Sequence, residues 1–114
     1  MGIHRSEAHG VPVLTCTGEI ALGKGEEALV DECQQILDVG RRLLVLDLSP
    51  LSYVDSAGVG AIVRCSKRAA DRGAVIRLVA AATGPVRKIL TVTQLDRAFD
   101  VYGTVDDAAR GNPR

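Results

Sequence analysis

The stretch Val45-Leu46-Asp47-Leu48-Ser49-Pro50-Leu51-Ser52-Tyr53-Val54-Asp55-Ser56-Ala57-Gly58-Val59-Gly60 decides the fold. It opens inside the apolar run Leu43–Leu48, which suits a strand buried on both faces, the kind a parallel sheet uses. Residues 49–54 read as a bridge. Asp55 and Ser56 then start a helix that should run to about Arg72. Along it Val59, Ile62, Val63, Ser66, Ala69 and Ala70 form one stripe, while Arg64, Lys67, Arg68 and Asp71 form the wet side. In an α/β sheet, sites gather outside the carboxyl ends of strands, so Ser56 stands where a partner could reach its hydroxyl.

Working outward, the same alternation continues. Gly25 to Val39 has helical spacing, with Leu29, Cys33, Ile36 and Leu37 on one face, and Gly40 ends it. Before it, Ile3–Ala8 and Val11–Gly18 read as a hairpin turned at His9-Gly10, with Pro12 at an edge or irregular position. Residues 19–25 read as a loop. After Gly73, residues 74–80 form another strand, Pro85 opens a short helix, and Phe99–Tyr102 make a last strand. Thr104 caps a final helix with Asp106 and Asp107 in its first turn. The order β-β-α-β-α-β-α-β-α predicts a single α/β domain over residues 1–114. Its sheet is mixed but mostly parallel, opened by a β-hairpin, with helices packed against it. Met1-Gly2 and residues 110–114 are the expected loose ends.

Composition narrows the function. With 14 basic and 14 acidic residues the net charge is +0, which gives no reason to expect nucleic acid or a membrane surface as partner. Aromatics are 3% and Trp is absent, against base-stacking platforms. No stretch reaches the roughly 18 apolar residues of a membrane span, and no signal peptide is visible. Cys16, Cys33 and Cys65 lie far apart in apolar segments and read as core residues rather than metal ligands. A reducing cytoplasm is the expected location, with no metal and no cofactor.

Asp and Ser are preferred helix N-caps, so capping alone accounts for Asp55-Ser56. It does not account for Gly58 and Gly60, each of which costs about 1 kcal/mol against Ala inside a helix. Glycine there points to close approach by another backbone or by a partner surface.

The segment Leu46-Asp47-Leu48-Ser49-Pro50-Leu51-Ser52-Tyr53-Val54-Asp55-Ser56-Ala57-Gly58-Val59-Gly60 resembles the signature of the STAS domain, the sulphate transporter and anti-sigma factor antagonist family. The resemblance covers nearly the whole chain, including Leu14–Ile20, Arg72-Gly73-Ala74, residues 89–99 and residues 101–108. It implies an anti-sigma factor antagonist, not an enzyme. Such a protein binds an anti-sigma factor that is also a serine kinase and thereby frees a sigma factor. The kinase then phosphorylates the serine, and a serine phosphatase resets it. Carried onto this chain, the phosphoacceptor is Ser56, Asp55 caps the helix or orients the hydroxyl, and Gly58 and the helix start lie in the kinase contact. The partner-binding set is then Asp55, Ser56, Ala57, Gly58, Val59 and Gly60. Ala57 replaces the family's frequent Ser or Thr, which leaves Ser56 as the one hydroxyl in Asp55-Ser56-Ala57-Gly58. The loop Ile20–Gly25 departs from the family pattern, and Ile20 and Leu22 there are either partner contacts or packing. The free protein is expected to be a monomer or weak homodimer.

Two other readings compete. A scaffold subunit of a sensor complex or transport machine would use the fold without a phospho-switch. A serine hydrolase would need a base beside Ser56, yet there is no GxSxG elbow and both histidines, His4 and His9, sit in the hairpin. The basic residues Arg64, Lys67, Arg68 and Arg72 could meet an acidic partner or form a solvated face; Arg87 and Lys88 pose the same choice.

Overall fold

A computed structural model of the chain describes residues 2–111. β1 (Gly2–Ala8) and β2 (Val11–Ile20) form an antiparallel hairpin. His9 and Gly10 both take positive φ, 52° and 77°, the paired left-handed turn whose twist matches a two-residue hairpin. α1 (Glu26–Asp38) follows, with Glu26 and Glu27 at its positive end. Then come β3 (Leu43–Asp47), β4 (Leu51–Val54), α2 (Ser56–Asp71), β5 (Val75–Val79), α3 (Pro85–Val92), α4 (Leu95–Ala98), β6 (Val101–Tyr102) and α5 (Val105–Arg110). The sheet runs β1-β2-β3-β5-β6, parallel beyond the hairpin, and β4 pairs with the far end of β2.

The mixed, mostly parallel α/β architecture is as expected, with four local corrections. β2 does not stop at Gly18: it continues through a register shift to Ile20 because β4 pairs with it there. The bridge at residues 51–54 is therefore a strand. The last helical stretch before β6 is broken, because Gln94 takes φ 62° and starts α4. Gly2 lies within β1 and Arg110 within α5, so neither is loose; Met1 and residues 112–114 lie outside the described residues. Pro12 pairs with Glu7 but precedes the ladder with β3, which starts at Val13, so no β3 bond is lost to its missing N–H.

β3 shows why the apolar run is continuous. Leu44 and Leu46 enter the larger core, with Leu29, Cys33 and Leu37 of α1 and Ile62, Cys65 and Ala69 of α2. Val45 points the other way, into a smaller cluster with Val13, Val79, Tyr102 and Ala108 beneath α5. Successive strand residues alternate faces, so helices on both sides demand apolar residues at every position. The three cysteines are all free and buried. Burial, then the charge of Asp47, pushes the Cys16 thiol up to about 12. A hydrogen bond with Cys65, added to burial, holds the Cys33 thiol above its ordinary value.

Candidate functional site

The site begins with one carboxylate. Asp55 is extended, at φ −101° and ψ −172°, and caps α2 by accepting from the Gly58 amide at 2.9 Å. Its second oxygen accepts from the Leu22 amide at 3.1 Å. Asp55 thus fastens the 21–25 loop to the start of α2. The Gly58 amide, and after it the Leu22 amide, holds the Asp55 carboxyl below the usual carboxylate range. The Asp55 amide donates to the Ile20 carbonyl, which closes the join between β2 and the helix start.

Gly58 completes that join. A Cβ built there would fall inside contact distance of the Ile20 carbonyl oxygen and would press on Val54. The close approach expected at this glycine is therefore made by the chain's own backbone. Gly60 differs: nothing lies within 4 Å of a Cβ built there, and the residue is exposed.

Ser56 is the first residue of α2 and is exposed. Among the described residues its hydroxyl has no hydrogen-bond partner. Asp55, Ala57 and Val59 are half-buried beside it. Leu22 is 78% exposed, but Ile20 is 0% exposed, because β2 carries it into the core. Ile20 therefore offers no side chain to a visitor, and its part is to seat α2 through its carbonyl.

Sequence reasoning missed the neighbouring hollow. Tyr53 and Val54 of β4 face Pro85, Lys88, Ile89 and Val92 of α3 around a largely apolar space of about 260 Å³. Tyr53 is 49% and Val92 72% exposed. The one available signal was Tyr53, a large aromatic next to the motif in a chain with few aromatics.

Of the four basic residues on and just after α2, Lys67 is exposed and the three arginines turn to α1. Arg64 bonds Glu27, Arg68 bonds Gln34 and Arg72 bonds Asp38, all on α1. Arg87 turns inward to the carbonyls of Ala80 and Ala81. Lys88 stays exposed at the hollow. No group of three or more His, Cys, Asp or Glu among the described residues is placed to hold a metal ion. No described helix is long and apolar enough to cross a membrane.

The sequence profile of the STAS domain matches residues 3–108. This chain belongs to the STAS domain family. A Thermotoga maritima protein named as a candidate anti-sigma factor antagonist is 31% identical over 74 residues, a stretch spanning 65% of each chain. A Thermotoga neapolitana homologue matches to the same extent. Among solved STAS-like structures, an anti-sigma factor antagonist from Mycobacterium paratuberculosis superposes with a TM-score of 0.85 at 24% identity, covering 96% of this chain and 92% of that one. The antagonist SpoIIAA in its unphosphorylated form superposes at 0.68 and 15% identity, covering 96% of both. At these identities the superpositions establish the fold alone. The STAS fold accounts for where the motif sits: the turn from β4 into α2 carries Asp55 and Ser56 to the surface beside the 21–25 loop.

Proposed function

We propose that this chain is a cytoplasmic anti-sigma factor antagonist that docks, through the face around Ser56, on an anti-sigma factor serine kinase. Docking frees a sigma factor. Phosphorylation of Ser56 ends the docking, and a serine phosphatase restores it. The chain itself catalyses nothing and needs no cofactor. The observation that carries this reading is the exposed Ser56 hydroxyl at the capped start of α2, without a hydrogen-bond partner among the described residues and flanked by exposed apolar side chains at Leu22 and Tyr53. A kinase can reach that hydroxyl, and a protein surface can bury those side chains.

The docking face comprises Ser56, Ala57, Val59, Gly60 and Leu22, extended by Tyr53 and Val92 at the hollow. Asp55 and Gly58 hold its shape, and Ile20 lies beneath it.

The switch follows from charge. Phosphate adds about −1.5 to −2 at pH 7. It would stand beside the Asp55 carboxylate, in a patch that a partner desolvates. A dianion buried there without a cation is costly, and about 1.4 kcal/mol already weakens binding tenfold. The test is to incubate the purified chain with its cognate kinase and ATP and to map modification by mass spectrometry. Ser56 becomes phosphorylated, and Ser56→Ala binds the kinase but is not released. An unmodified Ser56, or an equal release of Ser56→Ala, overturns the reading.

A further inference from the structure

The outer edge of β1 carries a pattern that fits a second copy of itself. β1 ends the sheet path, so among the described residues one of its two backbone rows meets no strand. Its seven residues are a little above the common strand length of about 5–6. In a two-residue hairpin, the pair flanking the turn exchanges both backbone bonds, and every second pair does the same. Here that pair is Ala8 with Val11, so Ser6, His4 and Gly2 bond inward to β2. The outward N–H and C=O groups therefore belong to Ile3, Arg5 and Glu7.

Native edges are commonly guarded by charge, and like charges set directly opposite each other disfavour pairing. The β1 edge instead alternates: Arg5 and Glu7 are two residues apart on one face, and both are exposed. Arg5 is steadied from α1 by Glu32 and Gln35, and Glu7 by Arg41. An antiparallel partner strand related by a two-fold axis at Ser6 sets each Arg5 opposite the other copy's Glu7. It also lets the outward backbone groups of the same two residues bond to each other. The register centred on Arg5 would set like charges face to face, which is unfavourable.

We propose that two copies of this chain associate through antiparallel β1 strands, with Ser6 on the two-fold axis and Arg5 opposite Glu7 on both sides. The result is one continuous sheet across the pair. The axis is normal to the sheet, so both α1 helices lie on the same face and flank the seam. The inference stands apart from the reading at Ser56, which is carried by β4, α2 and α3.

Sedimentation of the full chain over a wide concentration range reads the association directly. We expect a monomer–dimer equilibrium. Arg5→Glu turns two attractive pairs repulsive and raises the dissociation constant about tenfold, and adding Glu7→Arg to it recovers the dimer. Register is read by cross-linking. Ser6→Cys meets its own copy across a non-hydrogen-bonded pair, about 4.5 Å between Cα atoms, within the span of a disulfide. His4→Cys lies about 14 Å from its copy at about 3.4 Å per residue, beyond that span. Mild oxidation therefore links Ser6→Cys and not His4→Cys, with circular dichroism confirming that each variant is folded. A wild-type chain that stays monomeric at every attainable concentration overturns the proposal. So does an Arg5→Glu chain that dimerises as before, or equal cross-linking of both cysteine variants.

Discussion

The two halves of α2 use polar chemistry in opposite ways. Its second half and C-cap carry Arg64, Arg68 and Arg72, each of which reaches across to α1, while Lys67 between them stays exposed. Its first turn carries no charge beyond the Asp55 cap, and there the Ser56 hydroxyl and the neighbouring apolar side chains face solvent without partners. The informative end is the one where the chain has left its own groups unanswered.

Five tests, four at substituted positions and one by acid, probe that contrast, beginning with the largest effect. Gly58→Ala drives a methyl group into the Ile20 carbonyl, which is backbone and cannot rotate away. We expect a loss of about 1–3 kcal/mol in denaturant unfolding, the usual cost of overpacking. Full stability in this variant would mean that α2 is not seated on β2 as described. Ser56→Asp leaves stability unchanged and weakens kinase binding by about tenfold in calorimetry, while Ser56→Ala binds as the wild type does. Equal affinities would remove the distinction between the two ends of α2.

Acid should undo the Asp55 cap and its hold on the loop together. The Asp55 carboxyl is lowered from its ordinary 3.8 by the Gly58 and Leu22 amides. A depressed carboxyl contributes its stabilisation above the unfolded value and loses it as pH falls through the folded one. The Leu22 and Gly58 amide resonances should therefore titrate together, with one midpoint below 3.8. Separate midpoints would uncouple the loop from the helix. The smallest effects come last. Gly60→Ala meets open space and should stabilise by about 0.5–1 kcal/mol through helix propensity. Arg64→Ala should cost at most about 0.5 kcal/mol in urea titration, because its pair with Glu27 is solvent-exposed.

The apolar run of β3 and the helical spacing of α1 and α2 were legible because burial on both faces, or on one, leaves a period in the chain. β4 was not. Its four residues carry two exposed positions, Ser52 and Tyr53, and only pairing with the end of β2 makes them a strand. For the same reason Ile20 read as exposed loop, although it is core. Ser56 and its cap were readable from local chemistry. The hollow was hidden because Tyr53 and Val92 come from elements far apart in sequence, and no local period records their meeting. The link between Asp55 and Leu22 was hidden too, since any Asp at a helix start reads as a cap for its own helix.

The contact of Gly58 with the Ile20 carbonyl also bears on motion. The close approach of Gly58 to the Ile20 carbonyl, together with the Asp55 cap, seats the first turn of α2 directly on β2. A partner that docks as proposed would meet a helix start already set by the fold. The entropy of holding it there was already lost when the chain folded, and none of that loss is charged to the encounter.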